Sequence, residues 1–203
     1  MTVSAYMDKW NSEDGDVMKY QETGRLGRIT KNMRKLGFEA DMDRILFDSS
    51  EFPNLKKKEQ TKYVETVMER MEKNIGLENT KKILKECGAQ CCGKSWSNFV
   101  RQIWDNSKSQ EDFFVNLNNE EKKYDTHITY DSEHKSITVF RGKCICGLIN
   151  KGNVFRNNSV FCNCSIGHMS VFFNSICRVD NIQLMQSIYS GDERCEWTIK
   201  LDE

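Results

Sequence analysis

Close to residue 124 the hydrophobic pattern of this chain changes period, and that change limits its architecture more than any other feature. Upstream, Val64, Val67, Met68, Met71 and Ile75 recur at helical spacing, with Lys and Glu filling the opposite face. Downstream, Cys195, Trp197, Ile199 and Leu201 alternate with Glu196, Thr198 and Lys200, as in a strand with one buried and one wet face. A helix buries a stripe and a strand buries alternate residues, so the two halves need different layers. The pattern predicts an α+β fold: a helical N-terminal half packed on an antiparallel sheet, with a C-terminal helix and hairpin. Residues 1–50 read as a helical extension with little pattern, and 51–203 as one α+β domain, helical over 54–120 with sheet and helix over 125–201.

Local signals refine this. A short helix is expected around Ile29–Leu36, stopped by Gly37. Pro53 suits the start of the long Val64–Ile75 helix, and Gly76 its end. A second helix is expected from an Asn79 cap to Gly88, and another over Trp96, Phe99, Val100 and Ile103. Ser109-Gln-Glu-Asp forms a capping box before Phe113, Phe114 and Leu117. His127–Tyr130 and Lys135–Arg141 read as strands joined by a turn that leaves His134 exposed. Met169, Phe172, Phe173 and Ile176 suit a helix starting near Gly167 or His168, and Val179–Tyr189 and Arg194–Leu201 a closing hairpin.

The chemistry concentrates in Arg141–His168, which carries two Cys-x-Cys pairs, Cys144/Cys146 and Cys162/Cys164, with His168 four residues beyond the last. In extended chain, residues i and i+2 share a face, so each pair presents two sulfurs together. Four thiolates suit zinc or an iron–sulfur cluster, and Cys91 or Cys92 could join them. The same pattern fits four buried thiols beside a Gly/Asn-rich loop, with no cofactor. For nucleophilic chemistry the residues to examine are Cys164 with His168, and Cys92. An imidazole can take a thiol proton, and a helix N-terminus favours the resulting thiolate. Burial also accounts for Cys87 and Cys195.

Composition excludes several classes. The 203 residues hold 30 Lys+Arg and 30 Asp+Glu, so no basic field favours nucleic acid or an anionic membrane. No run reaches membrane-span length, and the N-terminus lacks the apolar core of a secretory signal. Nine cysteines, an odd number, fit reduced thiols in a cytoplasm better than a disulfide scaffold. There is no phosphate loop, dinucleotide fingerprint or Ser–His–Asp spacing.

The tail Ser187–Leu201, with its Gly-Asp-x-x-Cys-x-aromatic-x-Ile, resembles the end of the vinyl-4-reductase-like small-molecule-binding domains. Those are similar in fold to a subunit of a vesicle-tethering transport particle. The order of elements matches theirs from about residue 55 to 201. Cys87–Gly93, Cys144–Gly147 and Phe161–Gly167 are similar to motifs of an uncharacterised Cys-rich bacterial family. The tail is also similar to that of the aminothiazoline-carboxylate hydrolases. The resemblance implies a pocket for a small apolar or heterocyclic ligand beside a metal-binding cysteine site, and it is compatible with a homodimer. It departs at Ser187, where the vinyl-reductase-like pattern carries a cysteine. Three functions follow: a Cys-rich binding or sensor domain, a hydrolase of a small thiazoline-like or amide substrate using a cysteine or a metal-bound water, or a purely structural metal or thiol site in an interaction protein. If Cys144, Cys146, Cys162 and Cys164 hold zinc, sulfur–metal distances fall near roughly 2.3 Å and chelation destabilises the fold; sulfurs far apart rule it out.

Overall fold

The computed structural model describes residues 20–147 and 160–202. Its architecture is α+β. The helices are α1 (Gly24–Lys35), α2 (Met42–Leu46), α3 (Lys57–Ile75), α4 (Leu77–Asn106), α5 (Gln110–Glu121) and α6 (Cys164–Asn174). The strands are β1 (Thr126–Asp131), β2 (Ser136–Arg141), β3 (Val179–Gln186) and β4 (Cys195–Leu201), in the order β1-β2-β4-β3 with every neighbour antiparallel. No helix among the described residues is long and apolar enough to cross a membrane.

The period-2 pattern sets the sheet. Ile128, Val139, Trp197 and Leu184 lie side by side across the four strands, and Tyr130, Ile137, Ile199 and Ile182 form the next row. Two residues on, the same face carries Thr126, Arg141 and Cys195. This row ends the apolar surface and begins the polar one.

Buried side chains fall into two clusters. The first joins Leu26, Ile29 and Met33 of α1 and Ile45 and Leu46 of α2 to the α3 stripe and to Ile83, Leu84 and Cys87 of α4. Residues 20–50 therefore pack into the main body and build part of its core. The second joins the sheet to Phe113 and Leu117 of α5, Val100 of α4, and Met169, Phe172 and Phe173 of α6.

Several boundaries differ from the sequence expectation, each for a local reason. Pro53 lies inside a 3-10 turn, Ser49–Asn54, and α3 starts only at Lys57, where Glu59 accepts a bond from the Lys56 N–H. Gly76 is both the end of α3 and the residue before α4, so α4 begins at Leu77 and not at an Asn79 cap. Asn79 instead donates its side-chain amide back to the Ile75 carbonyl. The helix also runs through Gly88 and breaks at Gly93, whose φ of 65° and ψ of 157° suit glycine almost alone. The Ser109 cap is formed as expected, its hydroxyl accepting from the Asp112 N–H.

Gly88 serves another purpose. A Cβ there would run into the Cys164 carbonyl of α6, and a Cβ at Gly167 would run into the Lys85 carbonyl of α4. The two helices cross backbone against backbone, each through a glycine of its own. Gly88→Ala and Gly167→Ala should each cost about 3 kcal/mol or more, above ordinary overpacking because the obstacle is main chain. Urea denaturation measures this, and either variant matching the parent midpoint would refute the crossing.

Candidate functional site

A cavity of about 320 Å³ lies where the two clusters meet. Ile29, Leu84 and Phe161 reach it from the first cluster, Met169 and Trp197 from the second. Seven of the nine cysteines line it: Cys87, Cys91, Cys144, Cys146, Cys162, Cys164 and Cys195. Cys92 and Cys177 are the two left out.

The glycine crossing explains much of this. It brings Cys87 and Cys91 of α4 opposite Cys164 and His168 of α6, one helical turn apart on each side. The 3-10 turn Val160–Asn163 feeds directly into α6, which starts at Cys164, earlier than the Gly167 or His168 start expected from the sequence. His168 therefore sits in the second turn, on the cavity wall. Neither Cys-x-Cys pair lies on a strand: Cys162 is in the 3-10 turn, and Cys144 and Cys146 follow the end of β2 in irregular chain.

The sulfurs accept hydrogen bonds from fixed donors. Arg25 Nη1 lies 2.9 Å from Cys146 Sγ, and its guanidinium covers the Phe161 ring at 5.2 Å from the centroid. Ser187 donates to Cys162 Sγ at 3.1 Å, Asn32 to Cys87 Sγ at 3.3 Å, and the Ile188 N–H to Cys195 Sγ at 3.5 Å. Ser187 thus faces a sulfur directly. Ser165 accepts from the Trp197 indole at 2.8 Å and donates to the Cys162 carbonyl at 2.7 Å, fixing the floor. Arg28 and Lys143 add two further cationic side chains.

Burial controls the ionisation. It opposes the charge of Arg25, yet the field of Cys146 and the other sulfurs more than offsets this and holds the guanidinium pKa above its ordinary value. Burial pushes the Cys87 thiol up to about 11 and Cys144 to about 12, and it raises Cys164 strongly although Arg25 works against it. The His168 imidazole falls from 6.5 to about 4, through burial first and the nearby Arg141 second. Cys164 and His168 therefore face the cavity as a neutral thiol and a neutral imidazole, not as a thiolate–imidazolium pair.

Cys92 is turned away from the cavity. It is buried in the sheet-side cluster beside the Gly93 break, and burial raises its pKa. Cys91 takes the place on the cavity wall. Cys144, Cys146, Cys162 and Cys164 all line one cavity, yet among the described residues no group of three or more Cys, His, Asp or Glu is arranged to hold a metal ion. A zinc or cluster site would require these four sulfurs to draw together. Arg25 and Arg28 escape the sequence reading because their surroundings carry no motif. The one available signal was their spacing with Ile29 and Asn32 along a single helix face.

Arg141 closes one side of the cavity. Its Nη2 donates to Glu121 Oε2 at 2.8 Å and its Nε to Thr126 Oγ1 at 2.9 Å, with both members of the ion pair buried. Removing one partner leaves a buried charge alone, so Arg141→Met should cost about 3–5 kcal/mol.

Alkylation at pH 8 should reach the exposed Cys91 first and leave Cys87, Cys144 and Cys164 slow. The Cys164 rate should be the same in His168→Ala; a marked fall in that variant would reveal a thiol activated by the imidazole. His168 also sets an acid limit on stability. A lowered histidine pKa means the unfolded chain binds the proton more readily, so stability is intact above about pH 6.5 and lost as pH falls toward 4. At about 1.4 kcal/mol per pKa unit the loss is on the order of 3 kcal/mol. His168→Gln should flatten that part of the pH–stability curve, and an unchanged slope would show the imidazole titrating normally.

No curated protein matches the chain. Residues 20–203 match a family of unknown function, which takes in α1 with its two cavity arginines as well as the sheet and the cysteine segment. The chain belongs to that family of unknown function (DUF6144).

Proposed function

We propose that the protein is a small-molecule-binding or sensor domain whose ligand occupies the cavity between the two hydrophobic clusters. The observation that carries this reading is the make-up of the wall. It combines apolar faces from Ile29, Leu84, Phe161 and Trp197 with the cationic Arg25, Arg28 and Lys143. Concave, mostly apolar sites with a few fixed polar groups are where proteins hold small ligands. The wall favours a flat apolar or heterocyclic body with an anionic group placed toward Arg25. The likeness of the tail to the vinyl-4-reductase-like domains supports the same class of function. A hydrolase using Cys164 and His168 receives less support, because burial keeps both groups uncharged at neutral pH.

A thermal-shift screen of aromatic and heterocyclic carboxylates tests the reading. At least one compound should raise the melting temperature progressively with the logarithm of its concentration above Kd, as expected when only the folded state binds. Arg25→Gln should weaken that compound about tenfold or more, since a charge-assisted contact is worth roughly 1.5–3 kcal/mol. A panel without any stabilising member, or hits indifferent to Arg25, would remove the proposal.

A further inference from the structure

A second cavity of about 300 Å³ adjoins the first, and Cys91, Arg141, Ile145, His168 and Met169 belong to the walls of both. Its character differs. Trp96, Tyr124 and Phe172 surround it, with the Trp96 ring 6.2 Å from Tyr124 and 6.4 Å from Phe172 between centroids. These rings are tilted toward one another, at 55° and 47°, and give the chamber a wall of aromatic surface suited to a planar guest. Glu121, only 1 % exposed, is also on this wall.

Glu121 is half used. Its Oε2 accepts from Arg141, while its Oε1 is buried and has no hydrogen-bond partner among the described residues. A buried acceptor without a donor costs free energy, so such an atom calls for an explanation. The charge is already matched by Arg141, which leaves an acceptor in a neutral aromatic chamber. That combination suits an uncharged N–H donor better than an ammonium, and it repels an anion.

The geometry points to this second chamber as the seat of a planar heterocycle that donates an N–H hydrogen bond to Glu121 Oε1. The inference rests on the small-molecule reading above and deepens it. The ligand's ring lies among Trp96, Tyr124 and Phe172, and any anionic arm passes His168 and Met169 toward Arg25. A site built around a buried acceptor rejects an analogue that lacks the donor, because the acceptor is then left unpaired.

Indole and benzothiophene share a bicyclic outline, and only indole carries an N–H. Calorimetric titration of the full chain should show indole binding at least about tenfold more tightly. In Glu121→Gln the preference should shrink to within about twofold, folding being checked by circular dichroism. That variant can fail to fold because it strands Arg141, so Trp96→Leu supplies a second measurement: both compounds weaken alike and the preference for indole persists. Equal affinities in the unaltered protein would overturn the inference while leaving the ligand-binding reading intact. Binding of an aromatic carboxylate with neither bicycle bound at millimolar concentration would do the same. If carboxylates and bicycles all fail to bind, both readings fall.

Discussion

The contact of main chain on main chain between α4 and α6 fixes most of what surrounds it. Helices normally stand 8–10 Å apart because side chains separate them. Here Gly88 and Gly167 remove that spacer, and each helix rests on a carbonyl of the other. Near the crossing, side chains cannot point between the helices and are directed around them. Cys87, Cys91, Cys164 and His168 become wall residues for that reason. The break at Gly93 completes the arrangement. Up to Cys87, α4 serves the helical cluster, and from Cys92, next to the break, through Val100 it serves the sheet-side cluster.

The cavity follows from having two cores in place of one. Closely packed interiors leave few voids larger than a water molecule. Two separately packed clusters do leave one here, at their shared boundary. The sheet contributes its polar end there, because the inward row of residues runs out at Thr126, Arg141 and Cys195. The cysteines suit such a place, as small apolar groups whose sulfurs can still accept weak hydrogen bonds.

How much of this could be read from the sequence depends on how local the cause is. The strands were legible because alternation is a property of neighbouring residues, and the Ser109 cap because its partner is three residues away. Gly88 and Gly93 illustrate the opposite case. Each is a glycine in a helical stretch near cysteines, and the sequence reading ends a helix at Gly88. What calls for a glycine there is the Cys164 carbonyl, 76 positions along the chain and without trace in the local pattern. The Cys-x-Cys pairs were visible as a group and do share one cavity. Their placement in a 3-10 turn and an irregular segment was not, since spacing alone does not separate those from a strand. Arg25 was missed for the same reason as Gly88: its significance comes from Cys146, 121 residues away.

That separation has a kinetic meaning. Loop-closure entropy rises with the length of chain enclosed, and contacts between distant segments are the slow ones in folding. The bond from Arg25 to Cys146 and the one from Tyr189 to Glu65, 124 residues apart, are such contacts, and the cavity wall extends from Arg25 to Trp197. During synthesis the helices can pair as they emerge, but the wall lacks a side until the last strand has left the ribosome. The cavity therefore closes only once α1 and β4, distant in sequence, have come together.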